Sequence, residues 1–180
     1  QLVAEGKYKK AIKSFNQVIE ADSQFDFAYV NRASCYALLG KYKKAIPDLN
    51  IVIQNNPNSE FAYETRAYSF YAIKKYDKAL KDFETIIALN PDNNFAYFHR
   101  GLTYQKQNSH TKAIADFTTS IAINPDDYET YFYRAKSFIK IKNFKDAYID
   151  LLKAEELGFP KSLKRLKRRC REFYRKKNFI

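Results

Sequence analysis

The sequence of 180 residues has no methionine or tryptophan, and only four glycines, two cysteines and two histidines. Four scattered glycines exclude a Gly-rich loop that cradles phosphate, and Cys35 and Cys170 lie too far apart for a zinc motif or a disulfide scaffold. His99 and His110 have no cysteine or paired carboxylates near them. No apolar run approaches the roughly 20 residues of a membrane span. We therefore expect a soluble, cytoplasmic protein that is not an enzyme and has no metal or cofactor.

The net charge of +12 is concentrated at one end of the chain. The segment from Lys161 to Ile180 contains ten basic residues and one acidic residue, Glu172, whereas the other 160 residues contain 22 basic and 19 acidic residues. A strongly basic chain often binds nucleic acid or an acidic partner. Here that expectation applies to the C-terminal tail and not to the body of the protein.

The body of the sequence repeats with a period of 34 residues. Small residues, aromatic residues and prolines each recur at this step. The columns are Ala11, Ala45, Ala79, Ala113 and Ala147; Tyr29, Tyr63, Tyr97 and Tyr131; and Pro57, Pro91 and Pro125. Within a unit, apolar residues at i, i+4 and i+7 occur in two successive segments, which predicts two helices per unit, the second ended by proline.

A unit of the form Tyr-x3-Ala-x2-Tyr, a Gly or polar turn, Tyr-x2-Ala-x3-Phe and a terminal Pro resembles the tetratricopeptide repeat. The resemblance implies an all-α, right-handed superhelical solenoid of antiparallel helix pairs. The predicted parts are a partial repeat at 1–25, full repeats at 26–59, 60–93, 94–127 and 128–161, and a basic capping helix at 162–180. Since Gln1 falls at position 10 of a unit, we expect the chain to be a piece of a longer protein, and its unpaired first helix to permit self-association.

The concave face of such a solenoid is its usual binding surface. A helical wheel places positions 2, 6, 9 and 13 of each unit opposite the packing face, with position 5 at the edge. The candidate groove residues are Phe27, Asn31, Phe61, Glu64, Tyr68, Phe95, Phe98, His99, Leu102, Lys106, Phe132, Tyr133, Lys136 and Lys140. This groove is aromatic and becomes basic towards its C-terminal end, which predicts a protein or peptide partner bound as an extended segment or a helix.

Two alternatives concern this groove. The phenylalanines at position 2, Phe27, Phe61 and Phe95, could instead pack on the preceding unit. Phe98, Phe132 and Tyr133 are therefore the stronger candidates for partner contact. The resemblance also raises the carboxylate clamp of the family, in which Lys and Asn side chains hold the C-terminal carboxylate of a partner. Asn31 alone matches one of the residue types that the clamp needs. We therefore expect no clamp.

Every full unit has Arg at position 7 and Asp at position 23. These residues are Arg32 and Asp48, Arg66 and Asp82, Arg100 and Asp116, and Arg134 and Asp150. An arginine ladder could bind phosphate or an acidic peptide, but position 7 lies beside the packing face, and each arginine has one matching aspartate. The pattern therefore favours structural ion pairs between helices. The repeat register also allows a pair between Asp150 and Arg168 in the tail.

The tail carries an apolar stripe of Leu163, Leu166, Cys170 and Phe173, which predicts a helix docked on the last repeat as a solvating cap. Its cations form a second candidate site for nucleic acid, an anionic membrane or an acidic protein. The candidates are Lys164, Arg165, Lys167, Arg169 and Arg171. We thus expect a non-catalytic interaction scaffold or adaptor, with anion binding through the tail as the alternative.

Overall fold

The structure, a computed structural model, describes residues 2–3, 5–160 and 163–177, with side chains up to Phe173. This part of the chain contains ten α-helices and no strand. They are α1 (Tyr8–Ala21), α2 (Asp26–Leu38), α3 (Tyr42–Asn55), α4 (Glu60–Ala72), α5 (Tyr76–Leu89), α6 (Asn94–Lys106), α7 (His110–Ile123), α8 (Tyr128–Lys140), α9 (Phe144–Glu156) and α10 (Lys164–Lys177). The predicted all-α fold of paired helices is confirmed.

The helices fall into two compact units, residues 1–91 with α1 to α5 and residues 92–180 with α6 to α10. Within each unit, consecutive helices pack against one another. We call α2, α4, α6 and α8 first helices, and α3, α5, α7 and α9 second helices. The first helices begin at the residues that open the predicted repeats, whereas the predicted ends at residues 1, 161, 162 and 180 lie outside the described part.

Small residues on both helices of a pair are fully buried. Ala33 on α2 and Ala45 on α3 have no exposed surface, and the same holds for Ala67 and Ala79 in the next pair. A methyl group at these points lets two helix backbones approach closely, and the larger side chains of neighbouring turns fill the space around them. The small and large residues that alternate along the sequence therefore form the surface on which the two helices pack. Helix α3 includes Pro47 without being divided by it.

Each first helix ends in a turn with one residue in the left-handed region. These residues are Gly40, Lys74, Asn108 and Lys142, with φ of 70°, 61°, 59° and 62°. The next backbone N–H bonds back to the helix; for example, the Lys75 N–H donates to the Phe70 carbonyl at 2.8 Å. This arrangement satisfies carbonyls at the helix end and reverses the chain. Glycine adopts this conformation without steric cost, and asparagine tolerates it. Lysine adopts it only at a steric cost.

Each arginine at position 7 forms a two-pronged ion pair, the arginine fork, with the aspartate of the same repeat. Its Nε and Nη2 atoms donate to the two carboxylate oxygens at 2.7 to 2.9 Å. The aspartates are only 3 to 5% exposed. Burial raises the pKa of Asp82 and Asp150 despite the neighbouring arginine, while the bond to Asp48 raises the pKa of Arg32. The four pairs are thus interhelical contacts inside the repeats.

The forks also reach the second helix of the preceding repeat, which the sequence pattern did not predict. The remaining guanidinium nitrogen, Nη1, donates to a polar side chain there. These bonds join Arg32 to Asn16 at 2.9 Å, Arg66 to Asn50 at 2.8 Å and Arg134 to Thr118 at 3.0 Å. One arginine side chain therefore fixes a first helix against two second helices at once.

Replacing Lys74 with glycine should stabilise the protein. The change removes the steric cost of a left-handed lysine, part of which is offset by the greater freedom of glycine in the unfolded chain, for a gain of about 0.5–1 kcal/mol. Asn108→Gly is the matched control and should gain less, since asparagine tolerates this conformation. Urea denaturation measures both. A loss of stability in Lys74→Gly would contradict the assignment of strain to this turn.

Removing one partner of a fork should be costly, and removing its third bond should not. Asp82→Ala leaves the Arg66 guanidinium without its carboxylate and should lower the free energy of unfolding by about 3 kcal/mol. Asn50→Ala removes only the more exposed bond to Nη1 and should cost about 0.5–1 kcal/mol. Denaturation of both variants under one set of conditions gives the comparison. Equal losses of stability in the two variants would contradict the larger cost assigned to the buried ion pair.

Candidate functional site

In the first unit, the face of α2 and α4 opposite the packing surface carries exposed aromatic rings. Phe27 and Phe61 occupy the same position on the two helices and are 62% and 53% exposed. Phe27 contacts the neighbouring ring of Phe25, with centroids 5.8 Å apart, and neither Phe27 nor Phe61 is buried on a preceding repeat. Tyr68, further along α4, is 39% exposed and packs edge-on against Tyr42 at 6.0 Å.

Two polar groove candidates of the first unit are partly buried. The Asn31 side chain donates to the Phe27 carbonyl at 2.7 Å, which holds the amide against its own helix. Glu64 is half-buried on α4. The exposed surface of this face is therefore mainly aromatic, and Phe27, Phe61 and Tyr68 supply it.

In the second unit the aromatic candidates pack on one another and are only partly exposed. Phe98 on α6 contacts Tyr133 on α8 at 5.8 Å and the fully buried Phe117 at 6.0 Å. Phe132 stacks on Phe159, with centroids 4.5 Å apart. Phe98 and Phe132, two of the stronger candidates for partner contact, are thus half-buried and take part in packing. Their rings form the floor of the groove and also support the repeat beneath it.

Gly101 accounts for the position of this floor. It stands where the other repeats have alanine, and a Cβ atom at this point would lie 2.7 Å from Cε1 of Phe117. Phe117 occupies that space and stacks against Tyr133, with centroids 6.4 Å apart. Because Gly101 has no methyl group, the Phe117 ring fits between α6 and α7. Phe98 belongs to the same helix pair and contacts this ring.

The two histidines are partly buried and uncharged at neutral pH. His99 lies between Phe95 and Phe98, with centroid distances of 4.1 and 5.1 Å, and burial lowers its pKa to about 4. Burial and the charge of Lys140 lower the pKa of His110, whose Nδ1 atom is buried without a hydrogen-bond partner. Both groups therefore contribute apolar surface and not charge to this part of the molecule.

The basic end of the predicted groove lies on α6 and α8. Lys106, Lys136 and Lys140 are exposed, and Leu102 on α6 is half-buried. The Lys136 ammonium lies 5.0 Å from the ring centroid of Tyr133 and 5.5 Å from that of Phe132. Burial lowers the pKa of Lys136, and the charges of Lys106 and Lys140 lower it further. Three cations thus act on one another above an aromatic floor.

Helix α10 docks on α9 through the predicted apolar stripe. Leu163 and Cys170 are buried, and Phe173 stacks on Phe144 with centroids 4.6 Å apart and planes within 14° of parallel. The first helices also bury residue pairs seven apart. Those pairs are Ala28 and Cys35, Ala62 and Ser69, Ala96 and Thr103, and Thr130 and Ser137. A step of 34 would give 164 and 171, so α10 repeats this pattern one residue early.

The early register changes which tail residue takes position 7. Lys167 holds that place and forms an ion pair with Glu155 on α9. Arg168 is exposed and lies 3.7 Å from Glu172 on its own helix, while Asp150 is bonded to Arg134. The alternative pair between Asp150 and Arg168 therefore does not form.

The remaining candidate anion-binding residues of the tail point into solvent. Lys164, Arg165, Arg169 and Arg171 are exposed. The guanidinium of Arg169 lies 5.8 Å from the ring centroid of Phe173. Lys167 differs from these four, because it is half-buried and ion-paired.

The thiols and acidic groups offer no reactive centre in the described part of the chain. Cys35 and Cys170 are fully buried, and burial raises the pKa of both thiols. No group of three or more His, Cys, Asp or Glu side chains among the described residues could hold a metal ion. None of the described helices has the length and apolar character to cross a bilayer.

Comparisons with known proteins agree with this geometry. Profiles described as tetratricopeptide repeat match residues 27–59 and 95–127 and residues 2–25, and one described as TPR repeat matches residues 67–108. No curated protein gives a significant sequence match. Similar solved structures include MamA, at 24% identity over 87% of this chain and 91% of that chain, with a TM-score of 0.83.

Two further solved structures have a similar fold at lower sequence identity. A MamA from Desulfovibrio magneticus RS-1 is 20% identical over 89% of this chain and 91% of that chain, with a TM-score of 0.84. YrrB, described as a TPR protein with an unusual peptide-binding site, is 16% identical over 88% and 82%, with a TM-score of 0.76. Likeness at these identities establishes the fold of the helix pairs.

Stability should fall as the pH is lowered from about 7 towards 4, and His99 should cause part of this fall. In that range the unfolded histidine takes up a proton near its usual pKa of 6.5, whereas the folded one stays neutral down to about 4. His99→Gln should lose less stability across the range, by roughly 3 kcal/mol at most. Urea denaturation at several pH values measures the slope, and equal slopes would contradict this assignment.

Proposed function

Because the chain belongs to the tetratricopeptide repeat family, we propose that it is a non-catalytic scaffold or adaptor that binds a protein segment on its first helices. Proteins of this fold generally mediate protein–protein interactions. The bound segment is an extended peptide or a helix, laid across the faces opposite the packing surface. The family's carboxylate clamp has no part in this proposal.

The exposure of Phe27 and Phe61 carries the proposal. Each ring presents more than half of its surface to solvent on adjacent first helices, although both belong to a residue type that is usually buried. Neither ring belongs to the buried core of this unit, whose large side chains include Leu49, Phe83 and Ile86. Exposed aromatic surface of this kind favours a partner that covers it. The unusual peptide-binding site of YrrB supports peptide binding by a protein of similar fold.

A second candidate function is binding of nucleic acid or an anionic surface by α10. The observation that favours it is the exposure of Lys164, Arg165, Arg169 and Arg171 along one short helix. Cations at this density bind phosphate in a strongly salt-dependent manner. The two candidates therefore differ in the residues they need and in their response to salt.

The test is capture of partners from a lysate of the source organism, with and without nuclease, by the wild-type protein and by Phe27→Ala/Phe61→Ala. Because both rings are largely exposed, this variant should keep the wild-type stability to within about 1 kcal/mol. The proposal expects protein partners that survive nuclease treatment and are lost from the variant. Their affinity for purified wild-type protein should exceed that for the variant by at least about tenfold.

Ile149→Ala/Leu152→Ala is the matched control. These residues are 53% and 42% exposed but lie on the second helix α9. If this control loses the same partners, general surface stickiness explains the binding and the proposal fails. Loss of all retained material on nuclease treatment would instead favour the second candidate function.

A further inference from the structure

Three lysines in the second unit form a cluster that has no acidic partner. Lys136 and Lys140 lie one turn apart on α8, and Lys106 ends the neighbouring α6. None of the three takes part in an ion pair with any residue that the structure describes. The two helices are joined by Gln105, whose amide donates to the Tyr133 carbonyl at 2.6 Å and to Ser137 Oγ at 2.7 Å. The two helices that carry these lysines are therefore joined, and within the described part of the chain the lysines have no ion-pair partner.

Two arginines of α10 take positions that match those of the groove face on α6 and α8. With Leu163 and Cys170 at the buried positions of a first helix, Arg165 and Arg169 fall at positions 5 and 9, which face the groove in α6 and α8. On α8 these positions hold Phe132 and Lys136. The lysines of the groove on α6 and α8 and two arginines of α10 thus lie on equivalent faces of their helices.

The opposite side of α10 has a different character. Lys164 and Arg171 fall at positions 4 and 11, where the first helices place the aromatic rings that pack on their own second helix. Both are exposed on α10. Because a helical wheel separates them from Arg165 and Arg169, α10 has two basic sides that substitution can distinguish.

Contacts at the far end of the helices support this equivalence. On α8, Lys140 takes position 13; burial lowers the pKa of His110, the first residue of α7, and the charge of Lys140 lowers it further. On α10, Phe173 takes position 13 by the shifted register and stacks on Phe144, the first residue of α9. Helix α10 therefore meets α9 as α8 meets α7.

We infer that Lys106, Lys136, Lys140, Arg165 and Arg169 form one surface that binds an acidic segment of a protein partner through its Asp and Glu side chains. The inference rests on the proposed function and names the chemistry of its partner in the second unit. Carboxylates that enter the site relieve the mutual repulsion of the lysines and gain charge-assisted hydrogen bonds. Apolar side chains between the carboxylates contact the floor of Phe98, Phe132 and Tyr133.

An acidic peptide fits this surface better than a nucleic acid. Nonspecific binding of single strands relies on aromatic faces that are open for stacking by bases. Here Phe132 is stacked on Phe159 and has the Lys136 ammonium 5.5 Å from its centroid. Phe173 is stacked on Phe144 and has the Arg169 guanidinium 5.8 Å from its centroid. The rings are already engaged, while the cations are available.

The probe is a fluorescent peptide of about ten residues that alternates glutamate with leucine, long enough to cross three helices packed roughly 8–10 Å apart. Its C-terminus is amidated, so that capture of a terminal carboxylate contributes nothing. Lys136→Gln/Lys140→Gln and Arg165→Gln/Arg169→Gln should each weaken binding by about tenfold. The same peptide with glutamine in place of glutamate should bind at least about tenfold more weakly to the wild-type protein. Fluorescence anisotropy measures the dissociation constants.

Lys164→Gln/Arg171→Gln is the matched control, because it removes the same charge from the other side of α10. It should change the affinity by no more than about twofold. All substituted residues are exposed, and thermal unfolding verifies that each variant is folded. Retention of the acidic peptide by the control, together with its loss from both test variants, would establish the surface.

Other outcomes overturn the inference. An equal effect of the control would show that only total charge matters, and failure of the wild-type protein to bind the acidic peptide would remove the site. Tighter binding of a single-stranded oligonucleotide, with the same dependence on Arg165 and Arg169, would assign the surface to nucleic acid. Equal binding of the glutamine peptide would leave a neutral peptide groove, so the proposed function would stand while the acidic partner would not.

Discussion

The arginine fork is the contact on which the arrangement of each repeat depends. A guanidinium and a buried carboxylate cannot be separated without leaving a charge in a low-dielectric interior, so a first helix that slides along its partners loses much stability. The net gain from forming the pair is small, since burial raises the pKa of Asp82 and Asp150 even beside an arginine. The fork therefore contributes register more than free energy, and its third bond carries that register into the preceding repeat.

Position 2 is the part of the groove face that the packing leaves free to vary. The small residues and the fork occupy the other side of the first helix, whereas position 6 takes part in packing in the second unit, where His99 and Tyr133 contact neighbouring rings. Position 2 accordingly changes from Phe27 and Phe61, both exposed, to Glu129 on α8. A change at position 2 can therefore alter the binding chemistry at little cost in stability, because this position does not hold the helices together.

The helix pairs and the matched Arg and Asp positions could be predicted because a period of 34 repeats the same local packing problem several times. The bond from Arg66 to Asn50 could not, since position 25 also holds threonine and glutamate and shows no single residue type. The half-buried state of Phe98 and Phe132 depends on Gly101 and Phe159, which break the repeat pattern. Side-chain exposure on a curved helical surface follows from such irregular neighbours and not from the wheel.

The register of α10 shows how one residue can alter function. Had the step of 34 continued, Arg165 and Arg169 would have fallen at positions 4 and 8 instead of 5 and 9, and Arg168 at position 7. In α10 the buried positions come one residue early, so that Leu163 and Cys170 are buried and Lys167 reaches Glu155. The apolar stripe that docks the tail thereby decides which of its cations take the positions that Phe132 and Lys136 hold on α8. The same register sets both the docking of α10 and the positions of its cations. A change that shifted the buried apolar residues by one would therefore move Arg165 and Arg169 from positions 5 and 9, although α10 would remain a helix.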